Sequence, residues 1–571
     1  MATQFMKRGK TQRPNGTTGR TCAVTWLAGT MISAAALPAQ AQDGPEQNPE
    51  GRKGAEIEEV VTLGSRVGGR SATDAAVAVD IIGAEEISHN TGLFETGELL
   101  QRLAPSFNFS RTAISDGSDI FRPATLRGLG PDQVLVLING KRRHNRALLG
   151  LSGTVGQGSA GVDFNAIPSM ALQRVEILRD GAAAQYGSDA IAGVVNLSLK
   201  ETVDEFALNS MVGQTFSGDG ERYQVQANGG VPLGERGFLN ITGEYRAGDP
   251  TNRAAESPQF PGQKVFRHGD ADTEFVGFFA NAGIELTDTA ELYAFGGYSN
   301  SDAVGAGFYR FVDQADRSVP QVFPQGFLPR DTNESEDISI AGGLRGAFSN
   351  GWTYDVSAVY GENTYDFGVD NSLNTSIAAD FFNNNPGATD AEVAANAGPM
   401  GGFSGRQKFE QLTFNVDIGG FFDIGLSEPL HVAFGGEYRD ENFELVPGQL
   451  ESFSCGLSPE VVNIPSIVDP NVLATCGFQA FPGFRPEAAV DSGRDNYAAY
   501  LDLETNLTER LLVGVAGRYE DYGSSLGDEL TGKLSARFEL TDIAALRGSI
   551  QNGFRAPSIQ QLSVQTVTTT A

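Results

Sequence analysis

A chain of 571 residues with 71 glycines, 40% hydrophobic content and a formal net charge of −30 is rich in strand and turn formers and poor in helix-bundle signals. No apolar run reaches the about 20 residues that a membrane-crossing helix needs, which excludes a helical membrane protein. The acidic balance argues against a broad nucleic-acid surface.

The N-terminus reads as an export signal. Lys7, Arg8, Lys10, Arg13 and Arg20 form a basic region, residues 22–37 are mainly apolar, and Ala39-Gln40-Ala41 is a cleavage site of the A-x-A kind. Removal of 1–41 leaves a chain near −35. Residues 42–66 begin as a polar linker with Pro45 and Pro49 and end in a short apolar patch. Residues 67–203 mix patterns as a small α+β domain does. A short amphipathic helix is expected over 95–103, stopped by Pro105. An apolar run over 133–138 ends at Asn139-Gly140, a strand-and-hairpin signal, and further strands are expected over 172–178 and 191–199.

After Lys200 the period becomes two. Over 530–540 one face is Leu530, Gly532, Leu534, Ala536, Phe538 and Leu540, and the other is Thr531, Lys533, Ser535, Arg537 and Glu539. Leu430, Val432, Phe434, Gly436 and Tyr438 likewise oppose His431, Glu437 and Arg439. About thirteen such strands are expected, near 206–216, 222–231, 237–247, 273–286, 290–299, 336–348, 352–367, 407–422, 430–443, 495–506, 510–522, 530–540 and 543–553. Short links alternate with long ones near 248–272, 300–335, 368–406 and 444–494, which is the layout of a transmembrane antiparallel β-barrel with tight periplasmic turns and long outer loops. Tyr245, Trp352 and Tyr438 stand at strand ends, where interface girdles sit. Thirteen is odd, whereas bacterial single-chain barrels are even, so the barrel over 204–571 is expected to be incomplete. Cys455 and Cys476 share one loop-like region and read as a disulfide in an oxidising compartment. A metal site there would lack a nearby His or a second Cys pair.

The segment 72–200 carries more specific motifs. They are Leu126-Arg127-Gly128-Leu129-Gly130, the run 134–142 (VLVLINGKR), Asn165-Ala166-Ile167-Pro168, the run 174–179 (RVEILR) and the run 185–196 (QYGSDAIAGVVN). In this order they resemble the plug of TonB-dependent outer-membrane receptors, and Gly553-Phe554-Arg555-Ala556-Pro557-Ser558 resembles a segment inside their barrels. Asp180-Gly181 departs from the family's Gly-Pro, which bears on the subfamily. The resemblance implies an N-terminal plug inside a barrel of about 22 strands. It therefore implies about nine strands and some 200 to 300 residues beyond Ala571, on strands of about 10 residues plus loops.

The resemblance also assigns roles. Glu58, Glu59, Val60, Val61, Thr62 and Leu63 resemble the TonB box, an extended strand suited to pairing with a partner's sheet edge, with Leu63 departing from the commoner order. The other reading is a first plug strand. The implied partner is TonB with its inner-membrane energising complex, alongside outer-membrane lipid and lipopolysaccharide. Arg127, Arg174, Glu176 and Arg179 would bind plug to barrel. Outward-facing plug loops would offer Arg111, Asp116, Asp119, His144, Asn145 and Arg146 to a small-molecule ligand, Arg and His suiting an anion. The other reading of these six is solvated loop polarity. The implied function is active uptake of a scarce ligand, by default a ferric siderophore, with oligosaccharide, vitamin B12 and haem as competitors. A passive porin is disfavoured by the plug. A signalling transducer is disfavoured by the roughly 16 residues between Ala41 and Glu58, too few for an additional domain. No enzyme motif, cofactor site or metal-ligand spacing is present. His89, His144, His268 and His431 are scattered.

Overall fold

The structure, a computed structural model, describes residues 63–564 apart from 68–69, 90–92, 116, 118–120, 152 and 524–525. The export signal, Glu58, Glu59, Val60, Val61, Thr62, Asp116 and Asp119 lie outside the described residues.

The first domain is built on a five-stranded sheet. Its strands are β1 (Val79–Gly83), β4 (Val134–Ile138), β5 (Lys141–Arg142), β6 (Leu172–Leu178) and β7 (Gly193–Leu199), in the order β1-β6-β7-β4-β5. β4 and β7 run parallel and the other pairs antiparallel. β2 (Phe107–Phe109) and β3 (Ala124–Leu126) form a separate ribbon. The helices are α1 (Ala84–His89), α2 (Thr96–Leu103) and α3 (Ala183–Tyr186). α2 buries Leu99 and Leu100 and ends before Pro105, as its sequence dictates. Asn139 and Gly140 both adopt positive φ, 47° and 78°, the type I′ geometry that turns β4 tightly back into β5.

The second domain is a single sheet of thirteen antiparallel strands, each paired with its sequence neighbours. They are β8 (Phe206–Gly213), β9 (Arg222–Pro232), β10 (Gly237–Gly248), β11 (Asp272–Thr287), β12 (Ala290–Val304), β13 (Arg330–Ala347) and β14 (Thr353–Asp370), then β15 (Gly402–Phe422), β16 (Leu430–Pro447), β17 (Val490–Thr508), β18 (Leu511–Asp521), β19 (Asp528–Thr541) and β20 (Ala544–Gln551). β8 and β20 are the two edges and do not pair with each other, so the barrel is not closed. All thirteen expected strands are present. Those from β13 to β17 run 18 to 21 residues, about twice the 9–11 that cross a bilayer, so the wall continues well above the membrane.

The two faces separate as the alternation demands. Leu530, Leu534 and Phe538 are exposed on the outer face of β19, while Thr531 and Lys533 are buried on the inner face. Above the outer apolar band stands a ring of tyrosines whose hydroxyls donate to carboxylates. Tyr245 bonds Glu274 at 3.2 Å, Tyr298 bonds Glu336 at 3.1 Å, and Tyr360 bonds Glu362 and Glu410. At the other rim Trp352 packs edge-on against Phe422. The inner wall is polar, as a lumen that holds a folded domain requires.

Three outer loops knit into a cap. α4 (Thr375–Asn384) and α5 (Asp390–Ala395) lie in the loop after β14, and α6 (Leu450–Phe453) in the loop after β16. α7 (Ile559–Ser563) follows β20. Buried Asn374 donates to the carbonyls of Glu451 and Ser454 at 2.9 and 2.7 Å. The Thr375 hydroxyl sits 3.1 Å from the Asp316 carbonyl and 2.9 Å from that of Thr475. Cys455 and Cys476 are joined by a disulfide.

Candidate functional site

The plug meets the wall along a seam. After the Asn139-Gly140 turn, β5 and the two residues that follow it deliver four successive basic residues, all buried. Lys141 Nζ lies 3.1 Å from Asp355 on β14 and 3.6 Å from Asp417 on β15. Arg142 turns inward, 2.9 Å from Asp189 and 2.8 Å from the Ser188 carbonyl. Arg143 and His144 converge on Asp337 of β13, His144 Nε2 at 3.0 Å. Higher up, the Ala147 amide donates to Asn363 at 2.7 Å and the Leu149 amide to Gln407 at 3.2 Å. Burial, and then Arg143, hold His144 below its ordinary value of 6.5, against the opposing pull of Asp337. Gly361 lies against the imidazole, where a Cβ would collide with Nδ1.

A second contact set surrounds α3. Gln185 donates to Asp502 at 2.9 Å, and Lys533 to Gln185 at 3.2 Å. The Ser188 amide faces Glu520 at 3.2 Å, and Tyr522 donates to the Ser188 hydroxyl at 2.6 Å. The N-terminal segment is latched beside it. The Gly64 amide donates to Tyr186, whose hydroxyl burial pushes up to about 12. Ser65 donates to Glu504 at 3.0 Å, and Arg70 pairs with Glu504 at 2.7 Å. The Arg66 guanidinium lies 4.1 Å from the centre of the Tyr500 ring, reaches Asp417 at 3.4 Å, and donates to the Gln185 carbonyl at 2.6 Å.

At the outer end, Leu148, Leu149 and Leu151 of the plug are roofed by buried Tyr365, Phe367, Phe409 and Phe443 of the wall. Phe481, dipping in from the cap, stacks on Phe367 at 4.4 Å. To one side an 820 Å³ cavity is lined by Phe94, Phe109, Arg102, Arg111, Arg122 and Arg222.

Comparison with known proteins fits this arrangement. Residues 71–194 match the family described as TonB-dependent Receptor Plug Domain, and residues 284–571 match TonB dependent receptor-like, beta-barrel. The chain belongs to the TonB-dependent receptor family. The receptor is 29% identical over 217 residues to the ferric enterobactin receptor of Pseudomonas aeruginosa, covering 35% of this chain and 29% of that protein. It is 30% identical over 190 residues to the vitamin B12 transporter BtuB of Vibrio cholerae, covering 33% and 28%. Its fold is similar to crystal structures of the ferric enterobactin receptor PfeA (TM-score 0.60, 18% identity, 85% of this chain and 63% of that one) and of the unliganded ferric citrate transporter FecA (TM-score 0.57, 15% identity, 86% and 64%). The chain thus spans less than two thirds of the length of these relatives. Its barrel belongs in the bacterial outer membrane.

Arg174 pairs with Glu176 at 2.9 Å and Arg179 with Asp80 at 2.8 Å, both inside the plug, and Arg127 is exposed in its turn at φ 57°. The first pair lies on the interior strand β6 and the second ties the end of β6 to the edge strand β1, while Lys141, Arg143 and His144 reach the wall. Of the residues expected to meet ligand, His144 and Arg146 are enclosed. Arg146 donates to the Phe121 carbonyl, and burial lowers its pKa. Asn145 is half-buried between them. Arg111 alone among the described ones lines an open cavity, paired with Glu98 and, at 2.9 Å, with Asp270. The run Lys141-Arg142-Arg143-His144 was the signal available for the seam, since four adjacent bases after a hairpin turn need acids close by.

Proposed function

We propose that the receptor imports a scarce ligand across the outer membrane by TonB-dependent transport, with a ferric siderophore as the leading cargo. The observation that carries this reading is a plug held in the lumen by buried, breakable ion pairs, with its N-terminal segment latched at the inner rim. A permanently open pore would need no such plug, and a purely structural domain would need no leash. Residues 58–63 act as the TonB box, and the segment from Gly64 to Arg70 passes its load to plug and wall. The protein performs no chemical step on its cargo. Arg111 is the candidate contact for an anionic ligand in the side cavity, where it would exchange Glu98 and Asp270 for the cargo. Lipid and lipopolysaccharide surround the outer wall. Vitamin B12 is the second reading, favoured by the similarity to BtuB.

Deleting residues 58–64 should abolish uptake of radiolabelled ferric enterobactin by iron-limited cells while ligand binding to the same cells is retained. Unchanged uptake would remove the coupling role. Uptake of cyanocobalamin in place of the iron complex would select the second reading.

A further inference from the structure

Plug and wall touch from β9 to β20 of the open sheet, and one seam among these contacts differs in three ways. It is made by an edge strand of only two residues. β5 is joined to the plug sheet only through β4, by Leu137↔Arg142, Ile138↔Lys141 and the Arg143 amide on the Val136 carbonyl at 2.9 Å, so it can leave without breaking the pairing of β1, β6, β7 and β4 with one another. Its wall contacts form a rising line. Asp355 and Asn363 stand eight residues apart on β14, about 27 Å along a strand, which at a barrel tilt of about 40° rises about 20 Å through the bilayer. Finally, the foot of the line meets a cavity of 540 Å³ among the inner-rim turns. Elsewhere the junction is closed otherwise. On the β9–β11 side neutral amides hold its lower part, Gln226 to Ser169 at 3.2 Å and Asn281 to the Lys200 carbonyl at 3.0 Å, with Arg246 of β10 donating to the Asn165 carbonyl at 3.3 Å further up. A 480 Å³ rim cavity on the β17–β19 side is walled by the latch residues Val67, Arg70 and Asp74.

We propose that cargo leaves the receptor through the seam between plug residues 141–149 and strands β13–β15, into the cavity at its foot, with Lys141 as the gate. This rests on the transport reading above. Lys141 holds both Asp355 and Asp417, so while it is seated it bars the foot of the passage. Asp417 also holds Arg66, so movement of the N-terminal segment changes the partners of the acid that anchors the gate. Beyond Lys141 the cavity wall carries Glu285, Asp288, Glu291, Asp355 and Asp417 against Arg66 and Arg345. That excess of carboxylates gives the chamber a negative field, which offers an anionic cargo no site to rest in.

Two measurements on the full-length receptor in the outer membrane test this. In cells lacking TonB, Lys141→Met should raise entry of vancomycin, a bulky hydrophilic probe, at least tenfold over the parent. Ser169→Ala with Gln226→Ala, on the β9 side, should not. Equal permeability of the two variants would overturn the gate. In cells with TonB, an Ala147→Cys and Asn363→Cys tether should cut ferric enterobactin uptake at least tenfold until reductant is added, whereas a Ser169→Cys and Gln226→Cys tether should leave at least half. Unimpaired transport with the seam tethered would overturn the route. If the untethered receptor imports no ferric enterobactin, the transport reading for that cargo fails, and the permeability measurement still decides the seam.

Discussion

Asp337 stands at the crossing of plug and wall, facing Arg143 and His144 together. Taking that partner from the buried Arg143 guanidinium leaves its charge uncompensated, which typically costs about 3–5 kcal/mol. The imidazole is the titrating member. It faces Arg143 on its own segment and Asp337 and Glu362 on the wall. Its pKa lies below 6.5 in the folded protein, so the unfolded chain binds the extra proton more readily. The corresponding stability is complete above 6.5 and declines as pH falls toward the folded-state value. Thermal unfolding in detergent from pH 7.5 to 5.5 should therefore show an acid-side loss that is smaller in His144→Gln. Identical slopes would remove His144 from the account. A single sequence could not place this residue. It shows a histidine in a polar, glycine-rich stretch, and burial against a strand 190 residues later leaves no local trace.

Elements were more legible than residues. The lipid-facing strands declare themselves because outward apolar and inward polar positions must alternate, and every expected barrel strand exists. Their upper ends were misjudged for a physical reason. Above the membrane both faces meet water or other loops, so hydrogen bonding continues through 330–335 and 402–406 after the alternation has ceased. The cap was hidden for the same reason. Its organisation comes from buried amides such as Asn374 and from small apolar clusters, such as Val319, Leu373 and Val393, drawn from distant loops. The Cys455–Cys476 bond closes a loop with a sequence separation of 21, a constraint worth about 3 kcal/mol. Replacing both by serine should speed proteolysis within 456–475 at least tenfold while strand content by circular dichroism stays unchanged. An unaltered cleavage rate would show that the packed loops hold without it.

For the molecule as a whole, plug and sheet are mutually dependent. The plug's bases and the wall's acids are each buried by the other, and neither surface would suit water or lipid alone. The sheet has two unpaired edges, β8 and β20, whose backbone groups hydrocarbon cannot satisfy. Residues 1–571 expressed alone should consequently give no heat-modifiable band on a gel after extraction, and a stable heat-modifiable species would contradict the open topology. The sequence motifs announced the two-domain plan, but not which charges join the halves, because pairing across the interface is set by the strands' register.

The tyrosine ring has one more effect. Each hydroxyl is tied to a carboxylate lying toward the water, so sinking by one residue, about 3.4 Å, would drag acids into oil, and rising would strip rings from the boundary they favour. The barrel therefore floats at a fixed draught. Under the proposed coupling, tension on the N-terminal segment would meet a wall that does not travel with it, and the load would go into displacing the plug.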